Sequence, residues 1–261
     1  MSTYILRGLR FLAAIRRTPL TIIKDNVVTG DYFRENLEAL RDVAADPYVA
    51  GSDIIGEELN DIRDIAPVIR ELVRVAGAVP GFVIRIHAGE NDGLRDNIAN
   101  SLKCVQDALA PGQPMPLIRI GHGLYTADLN RPKGLKLIEA LRESGAVLEF
   151  QITSNVRLNN LSDMKNHPLR QYLAQGIGCV QGTDGGALYG TDSMDEQLSL
   201  EKMLGLTEDE LLSMRRCEAR VLEQSLRVFE AKSAAWERGE RPAYPSIDLL
   251  PQKVVVVRCP Y

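Results

Sequence analysis

Histidine and cysteine are scarce in this chain of 261 residues, and long apolar runs are missing. The four cysteines form no CxxC pair and lack the dense spacing of a disulfide framework, so a disulfide-stapled fold is excluded and a cytoplasmic protein with free thiols is predicted. No apolar stretch approaches the ~20 residues that span a bilayer. The segment Tyr4–Ile15 is interrupted by Arg7 and Arg10, so it lacks a signal-peptide core.

Several common catalytic motifs are absent as well. The sequence contains no Walker A loop, no GxGxxG after a strand, no GxSxG elbow and no HExxH pair. Hydrolysis of nucleoside triphosphates, dinucleotide binding and serine-hydrolase chemistry therefore lose their main support. The net charge of −4 and the pI near 5.6 argue against nucleic acid or a membrane surface as a partner. A small polar substrate is the better expectation.

Short apolar runs alternate with amphipathic stretches, which is typical of βα units around a parallel sheet. The predicted strands are Tyr4–Leu12, Tyr48–Ile55, Gly81–His87, Leu117–His122, Ala146–Ile152 and Gly178–Thr183. The predicted helices are Tyr32–Ala45, Ile62–Ala76, Leu94–Leu109, Lys133–Glu143, Leu161–Gln175, Met194–Leu204 and Thr207–Trp236, the last opened by a capping box at Thr207. Six such units fit an incomplete (β/α)8 barrel or an open doubly wound sheet, and spacing alone leaves both open.

The organisation of the chain is that of one large domain with a short extension. Residues 1–238 form the predicted barrel-like domain, and residues 239–261 form a linker and a C-terminal tail. The valine-rich segment Lys253–Arg258 is a candidate extra strand.

Two of the three histidines follow apolar runs in short glycine-containing segments. His87 ends the run Phe82–Ile86, and Glu90 follows three residues later. A histidine at a strand end with a nearby carboxylate suits a metal ligand with a general acid or base. A turn histidine, with Glu90 capping the next helix, is the equal alternative. His122 lies between two glycines and could hold or move a proton on a bound water, or simply form a hydrogen bond in a turn.

Further polar residues follow other predicted strands. Asp184, after Gly182-Thr183, could bind a metal or act as a base, although a turn or helix-cap role is favoured when it is taken alone. Gly56 could offer a backbone N–H to a ligand, while Glu57 and Glu58 are expected to cap the next helix. Asn155 is expected in a turn.

The order of these segments resembles the adenosine/AMP deaminase superfamily of metal-dependent hydrolases. The matching segments are Ser52–Glu57, HAGE at 87–90, RIGHG at 119–123, Ser154-Asn155, Asn166-His167-Pro168 and Gly182-Thr183-Asp184. Each segment is weakly specific by itself, but six in the family order make a strong signal, and the agreement runs from about Tyr4 to about Arg227. His167 is expected to be structural, beside a proline that starts a helix.

The resemblance implies a (β/α)8 barrel that binds Zn²⁺ and hydrolytically removes the amino group of a 6-aminopurine such as adenine, adenosine or AMP. His87 would bind zinc, and Asp184 would complete the zinc shell and accept a proton from water. Glu90 would protonate a purine ring nitrogen, His122 would orient the attacking water, and Gly56 would hydrogen-bond to the purine through its backbone.

The chain departs from the family pattern in two respects. The family's His-x-His pair on the first barrel strand has no counterpart here, and Gly185 stands where a second acid usually follows the zinc aspartate. The six predicted strands would then correspond to barrel strands three to eight. Three functional hypotheses remain open: a zinc aminohydrolase, a catalytically inactive deaminase-fold protein with a binding or assembly role, and an enzyme of the same class with a different metal use or substrate. Open barrel edges also predict a homo-oligomer or a partner chain that covers them.

Overall fold

A six-stranded parallel sheet lies at the centre of the described part of the chain. The computed structural model describes residues 8–18, 23–24, 27–28, 32–158, 161 and 164–249. Its main strands are β1 Phe11–Arg16, β2 Val49–Ile55, β3 Val83–Ala88, β4 Leu117–His122, β5 Val147–Phe150 and β6 Cys179–Gln181. Each strand pairs in parallel with the next along the chain, without the reversal of order that a doubly wound sheet requires. The predicted α/β barrel-type sheet is confirmed, with six strands in the described part.

The helices follow the strands as the alternating sequence pattern predicts. They are α1 Tyr32–Val43, α2 Ala66–Ala78, α3 Asn97–Asp107, α4 Pro132–Ser144, α5 Ile152–Arg157, α6 Leu169–Ala174, α7 Gly186–Tyr189, α8 Ser193–Lys202 and α9 Glu208–Glu237. Short 3-10 helices occupy Ile62–Ile65, Asp92–Leu94 and Met164–Asn166, and Ile23–Lys24 pairs antiparallel with Val27–Val28. The predicted capping box is confirmed: the Glu210 carboxylate accepts from Thr207 N at 2.7 Å, and Thr207 Oγ1 accepts from Glu210 N at 3.3 Å.

The hydrophobic core lies between the sheet and the helices. Side chains of a strand alternate between its two faces. In β3, Ile84 and Ile86 are fully buried in the core cluster, together with helical residues such as Leu72 of α2. Arg85 and His87 alternate with them, so their side chains lie on the opposite face of β3.

The first strand is displaced from its predicted position. Tyr4–Leu12 was the expected range, but Tyr4–Arg7 lie outside the described residues and the strand there is Phe11–Arg16. Pairing decides the position, because Ala13–Arg16 align with Ser52–Ile55 of β2. Only Ile15 of this strand is buried, so its apolar content is a weak guide to its limits.

Two further sequence predictions need correction around β5 and β6. Ser154 and Asn155 lie in the short helix α5 rather than in a turn. The expected helix Leu161–Gln175 is broken into a 3-10 helix at Met164–Asn166 and the six-residue α6. Pro168, whose nitrogen carries no hydrogen, stands at the cap of α6 and prevents one continuous helix.

The chain after α9 lies along the helices rather than in the sheet. The guanidinium of Arg34 donates to Leu249 O at 2.9 Å, and that of Arg41 donates to Pro245 O at 2.7 Å. Residues 240–249 have no regular secondary structure, and the candidate strand Lys253–Arg258 lies outside the described residues. The domain boundary at 238/239 stays a prediction. No helix in the described part of the chain has the length and apolar character to cross a bilayer.

Candidate active site

A polar cavity of about 1000 Å³ opens at the carboxyl ends of the strands. All five residues predicted for the site line it: Gly56, His87, Glu90, His122 and Asp184. They come from the ends of β2, β3, β4 and β6 or from the loops that follow. Carboxyl ends of parallel strands meet at one edge of a sheet, which explains why residues so far apart in sequence share one cavity.

His87 and His122 form the centre of this cavity. Their ring centroids are 4.9 Å apart, and His87 Nδ1 lies 3.3 Å from His122 Nε2. Asn155 Oδ1 lies 3.3 Å from His122 Nδ1, so Asn155 positions this ring. Burial, followed by the neighbouring His87, lowers the pKa of His122 to about 3. His122 is therefore neutral at neutral pH.

Glu90 completes a group of possible metal donors. Its Oε2 lies 3.6 Å from His122 Nε2. One ligand atom each of His87, Glu90 and His122 can be chosen within 4.8 Å of one another, the one such group of three among the described residues. Two imidazoles and a glutamate are a donor set used by catalytic zinc sites. The donor types therefore fit a divalent metal ion.

Asp184 lines the cavity from a different position. It is exposed, follows β6 and lies outside the three-residue group of donors that the described residues form. Burial and the Asp184 carboxylate raise the pKa of Tyr189. The pairing of Asp184 with His87 on one metal ion remains a prediction, whereas His122 and Glu90 already lie beside His87.

Backbone strain marks two of the predicted residues. His122 has φ 76° and Asp184 has φ 54°, and these are the positive-φ residues other than glycine in the described chain. This left-handed conformation costs an L-residue about 1–2 kcal/mol, and such outliers concentrate at functional sites. Aspartate and histidine adopt this conformation more readily than most residues, in turns as well as at functional sites, so the backbone is compatible with both roles.

Arg85 forms a buried ion-pair network beneath the histidines. Its Nη1 lies 2.6 Å from Asp53 Oδ2 and 2.6 Å from His87 Nε2, and its Nε donates to Glu149 Oε2 at 2.6 Å. Arg119 Nη1 also approaches Glu149, at 3.5 Å. Burial by itself lowers the pKa of Arg85, but the carboxylates of Glu149 and Asp53 outweigh it and raise the pKa. The Arg85 side chain is thus a fixed cation in contact with a candidate metal ligand.

Glu58 holds the loop that carries Glu90. It is 1% exposed, and its carboxylate accepts from the backbone N–H groups of Gly89 at 3.1 Å, Glu90 at 2.7 Å and Asn91 at 2.7 Å. Asn97 Nδ2 donates to the same carboxylate at 2.8 Å. The expectation that Glu58 caps the next helix is therefore wrong, because its carboxylate is already filled by these donors.

His167 has the structural role expected of it. Its Nδ1 accepts from Leu169 N at 3.2 Å at the start of α6, and its ring packs against Phe150 at 5.4 Å between centroids. Burial lowers the pKa of His167 to about 4.

The residues that the sequence reasoning missed are charged residues in the strands. Asp53, Arg85 and Glu149 lie inside predicted strands and were given no role in the site, and Glu58 was expected to cap the next helix. The spacing of Arg85 and His87 carried a usable signal, because residues two apart in a strand share a face. Their partners across the sheet could not be found this way, because the sequence separates Arg85 from Glu149 by 64 positions.

The fold and the site define a class of α/β barrel-type protein with polar residues at the carboxyl ends of its strands. The family model for adenosine deaminase matches residues 16–234, and the chain belongs to this family. The family is metal-dependent, and the group of His87, Glu90 and His122 can hold a metal ion.

Individual relatives agree with this assignment at modest identity. An adenine deaminase of Rhizobium rhizogenes is 28% identical over 77% of this chain and 59% of its own length. An aminodeoxyfutalosine deaminase of Acidothermus cellulolyticus is 34% identical over 48% of this chain and 33% of its own length. The crystal structure of an adenine deaminase from Arthrobacter aurescens has a TM-score of 0.59 at 21% identity, over 88% of this chain and 62% of that one. The chain thus spans about three fifths of the length of the adenine deaminases it matches.

Proposed function

We propose that this protein is an aminohydrolase that removes the amino group of a 6-aminopurine. The observation that carries the proposal is the convergence of Gly56, His87, Glu90, His122 and Asp184 on one cavity at the strand ends. Relatives described as adenine and adenosine deaminases support the same reaction class.

The residues have distinct proposed roles. Glu90 protonates a purine ring nitrogen and makes the carbon that carries the amino group electrophilic, a step worth roughly 10²–10⁴-fold. His122, held by Asn155, orients the attacking water and moves its proton. Asp184 accepts a proton from this water, and Gly56 binds the purine through its backbone N–H.

The proposed metal is zinc, with His87 and Asp184 as ligands. The chemistry that zinc supplies when bound is the activation of a water molecule at neutral pH. Imidazole and carboxylate are suitable zinc donors, and His122 and Glu90 add further donors of the same kinds within 4.8 Å of His87. Arg85 competes with the metal for His87, because it contacts His87 Nε2 at 2.6 Å.

The charge of the cavity favours a substrate without a phosphate group. Among the described residues that line it, seven are acidic, namely Asp53, Glu57, Glu58, Glu90, Asp92, Glu149 and Asp184. Arg85 is the lining residue with a permanent positive charge, and its guanidinium is bound to Asp53 and Glu149. Carboxylates at short range repel a phosphate dianion. Adenine or adenosine is therefore proposed ahead of AMP.

A direct assay tests both parts of this proposal. Purified protein with added zinc is incubated with adenine, adenosine and AMP, and the 6-oxopurine product and ammonia are measured. We expect turnover of adenine or adenosine, with AMP at least tenfold slower, and a loss of 10²-fold or more in Glu90→Gln. Glu143→Gln is the control. It makes the same Glu-to-Gln change at an exposed position of α4 outside the cavity, and we expect it to keep its activity. Absence of product from all three purines, or full activity of Glu90→Gln, contradicts the proposal.

A second candidate is a protein that binds a purine without hydrolysing it. The contact between Arg85 and His87 Nε2 favours this candidate, because it occupies one of the two nitrogens through which His87 could bind a metal. The missing His-x-His pair favours it too. Saturable binding of adenine or adenosine by calorimetry, with no product in the assay above, would distinguish it from the aminohydrolase.

We also propose that the chain associates with another chain through its sheet edges. Within the described residues, β1 pairs only with β2, and β6 only with β5, so one side of each has no paired strand. Exposed strand edges promote association.

A further inference from the structure

Arg85 occupies the centre of a set of potential metal ligands. Its guanidinium contacts Asp53 Oδ2, Glu149 Oε2 and His87 Nε2, each at 2.6 Å. Two carboxylates and an imidazole around one buried cation are the donors that also bind divalent metal ions. Gly121 on the neighbouring strand β4 leaves room for the guanidinium, because a Cβ there would lie 3.0 Å from Arg85 Nη2.

The contact determines which nitrogen of His87 carries the proton. A guanidinium only donates hydrogen bonds, so His87 Nε2 must be the acceptor. In a neutral ring the proton then resides on His87 Nδ1, which donates to His122 Nε2 at 3.3 Å. His122 Nδ1 in turn donates to Asn155 Oδ1 at 3.3 Å. All three hydrogen bonds run in the same direction, and neither nitrogen of His87 has a lone pair available for a metal.

One oxygen atom in this group, Asp53 Oδ1, can bind a further cation. Asp53 Oδ1 is buried and has no hydrogen-bond partner among the described residues. It lies 3.6 Å from His87 Nε2, the nitrogen that Arg85 contacts. A buried carboxylate oxygen without a partner is costly, and a metal ion in place of the guanidinium would satisfy it.

We propose that Arg85, held by the carboxylates of Asp53 and Glu149, is an internal cation that excludes a divalent metal from His87 Nε2. The permanent charge of Arg85 repels a second cation, and its hydrogen bond blocks His87 Nε2. Metal binding at His87 therefore requires the guanidinium to move away. The proposal rests on the proposed function in that the zinc proposed there would reach His87 only when its concentration is high enough to displace the guanidinium, and it concerns metal binding rather than turnover.

The test compares zinc binding in variants of the full chain. Arg85→Met removes the charge at similar length, and we expect it to bind one zinc ion per chain at least tenfold more tightly than the unaltered protein, by calorimetry and elemental analysis. The double variant Arg85→Met/His87→Ala loses this gain. Arg119→Met is the matched control, because Arg119 also approaches Glu149, whereas the contact with His87 Nε2 is made by Arg85. Equal, tight zinc binding by the unaltered protein, Arg119→Met and Arg85→Met overturns the proposal.

A second measurement needs no substitution at Arg85, whose loss leaves buried carboxylates and could prevent folding. Nitrogen-15 NMR of the unaltered protein distinguishes the two tautomers of His87. We expect a protonated Nδ1 and an unprotonated Nε2, unchanged by one equivalent of zinc. A protonated Nε2, or a shift of the His87 signals at one equivalent of zinc, contradicts the proposal. Both readouts are independent of deamination, so a failed activity assay leaves them unaffected.

Discussion

At the scale of single residues, the site combines strain with preorganisation. His122 and Asp184 are held in left-handed backbone conformations, and His122 is also held by Asn155. Strain at such positions persists only where the surrounding structure enforces it. The two left-handed conformations therefore lower the free energy of unfolding while they fix the placement of the two side chains.

Asp184→Gly tests this trade directly. Glycine adopts φ near 54° without the penalty of a side chain, although it adds entropy to the unfolded chain. We expect the free energy of unfolding in urea to stay constant or to rise by up to about 1 kcal/mol, while deamination is lost. Asp184→Ala should lose activity and gain no stability, because it keeps the Cβ. A variant Asp184→Gly that is much less stable than the unaltered protein would refute a strained Asp184.

The residue scale also shows where sequence reasoning succeeds and where it stops. His87, Glu90, His122 and Asp184 each lie at or just after the end of a strand, and parallel strands place these ends at one edge of the sheet, so their proximity could be predicted without knowledge of their contacts. Arg85 was overlooked because it lies inside an apolar run. Its role depends on Asp53 and Glu149 in other strands, and such long-range pairing leaves no local pattern in the sequence.

At the scale of elements, caps and prolines decide where helices begin. The capping box at Thr207 was predictable because its residues are four consecutive positions. The break before α6 was predicted only in part, because the proline beside His167 was expected to start a helix while the predicted helix Leu161–Gln175 ran through both residues. His167 takes the role of a cap there, accepting from Leu169 N at 3.2 Å.

The cap of α6 makes stability sensitive to acid. Burial lowers the pKa of His167 to about 4, below its value of about 6.5 in an unfolded chain. Below pH 6.5 His167 becomes protonated in the unfolded chain but stays neutral in the folded chain. The free energy of unfolding therefore falls as the pH drops from 6.5 toward 4. The variant His167→Asn keeps a capping side chain but does not titrate. Urea unfolding at several pH values should show a shallower loss for it, by at most about 3 kcal/mol. Identical slopes would rule out His167 as the sensor.

At the scale of the whole molecule, the open sheet is the dominant feature. The six strands follow the order of a barrel, and in the described part β1 and β6 remain at the edges. Strand order could be predicted from the alternation of strands and helices, since consecutive βα units place neighbours side by side. The register could not, as the displacement of β1 illustrates. That register is set by contacts with β2 and not by the apolar run itself.

Association through the β1 edge is expected from this architecture. Phe11 at the start of β1 is 55% exposed, and it is a large apolar side chain on an edge strand. Light scattering at micromolar concentration should give a mass above that of one chain, and Phe11→Glu should lower it. Leu135→Glu changes a leucine of α4 that is 50% exposed, away from the edge, and should have no effect. A single-chain mass at every concentration would contradict this expectation.

The buried Glu58 limits how the sequence around this site can change during evolution. The loop after β3 offers three consecutive amides, an arrangement that binds anions, and the protein fills it with its own carboxylate from the segment after β2. The segment that carries Glu58 and the loop after β3 therefore depend on each other for their conformation. Transplanting residues 87–91 into a relative would preserve the placement of Glu90 only if an acid equivalent to Glu58 travelled with them.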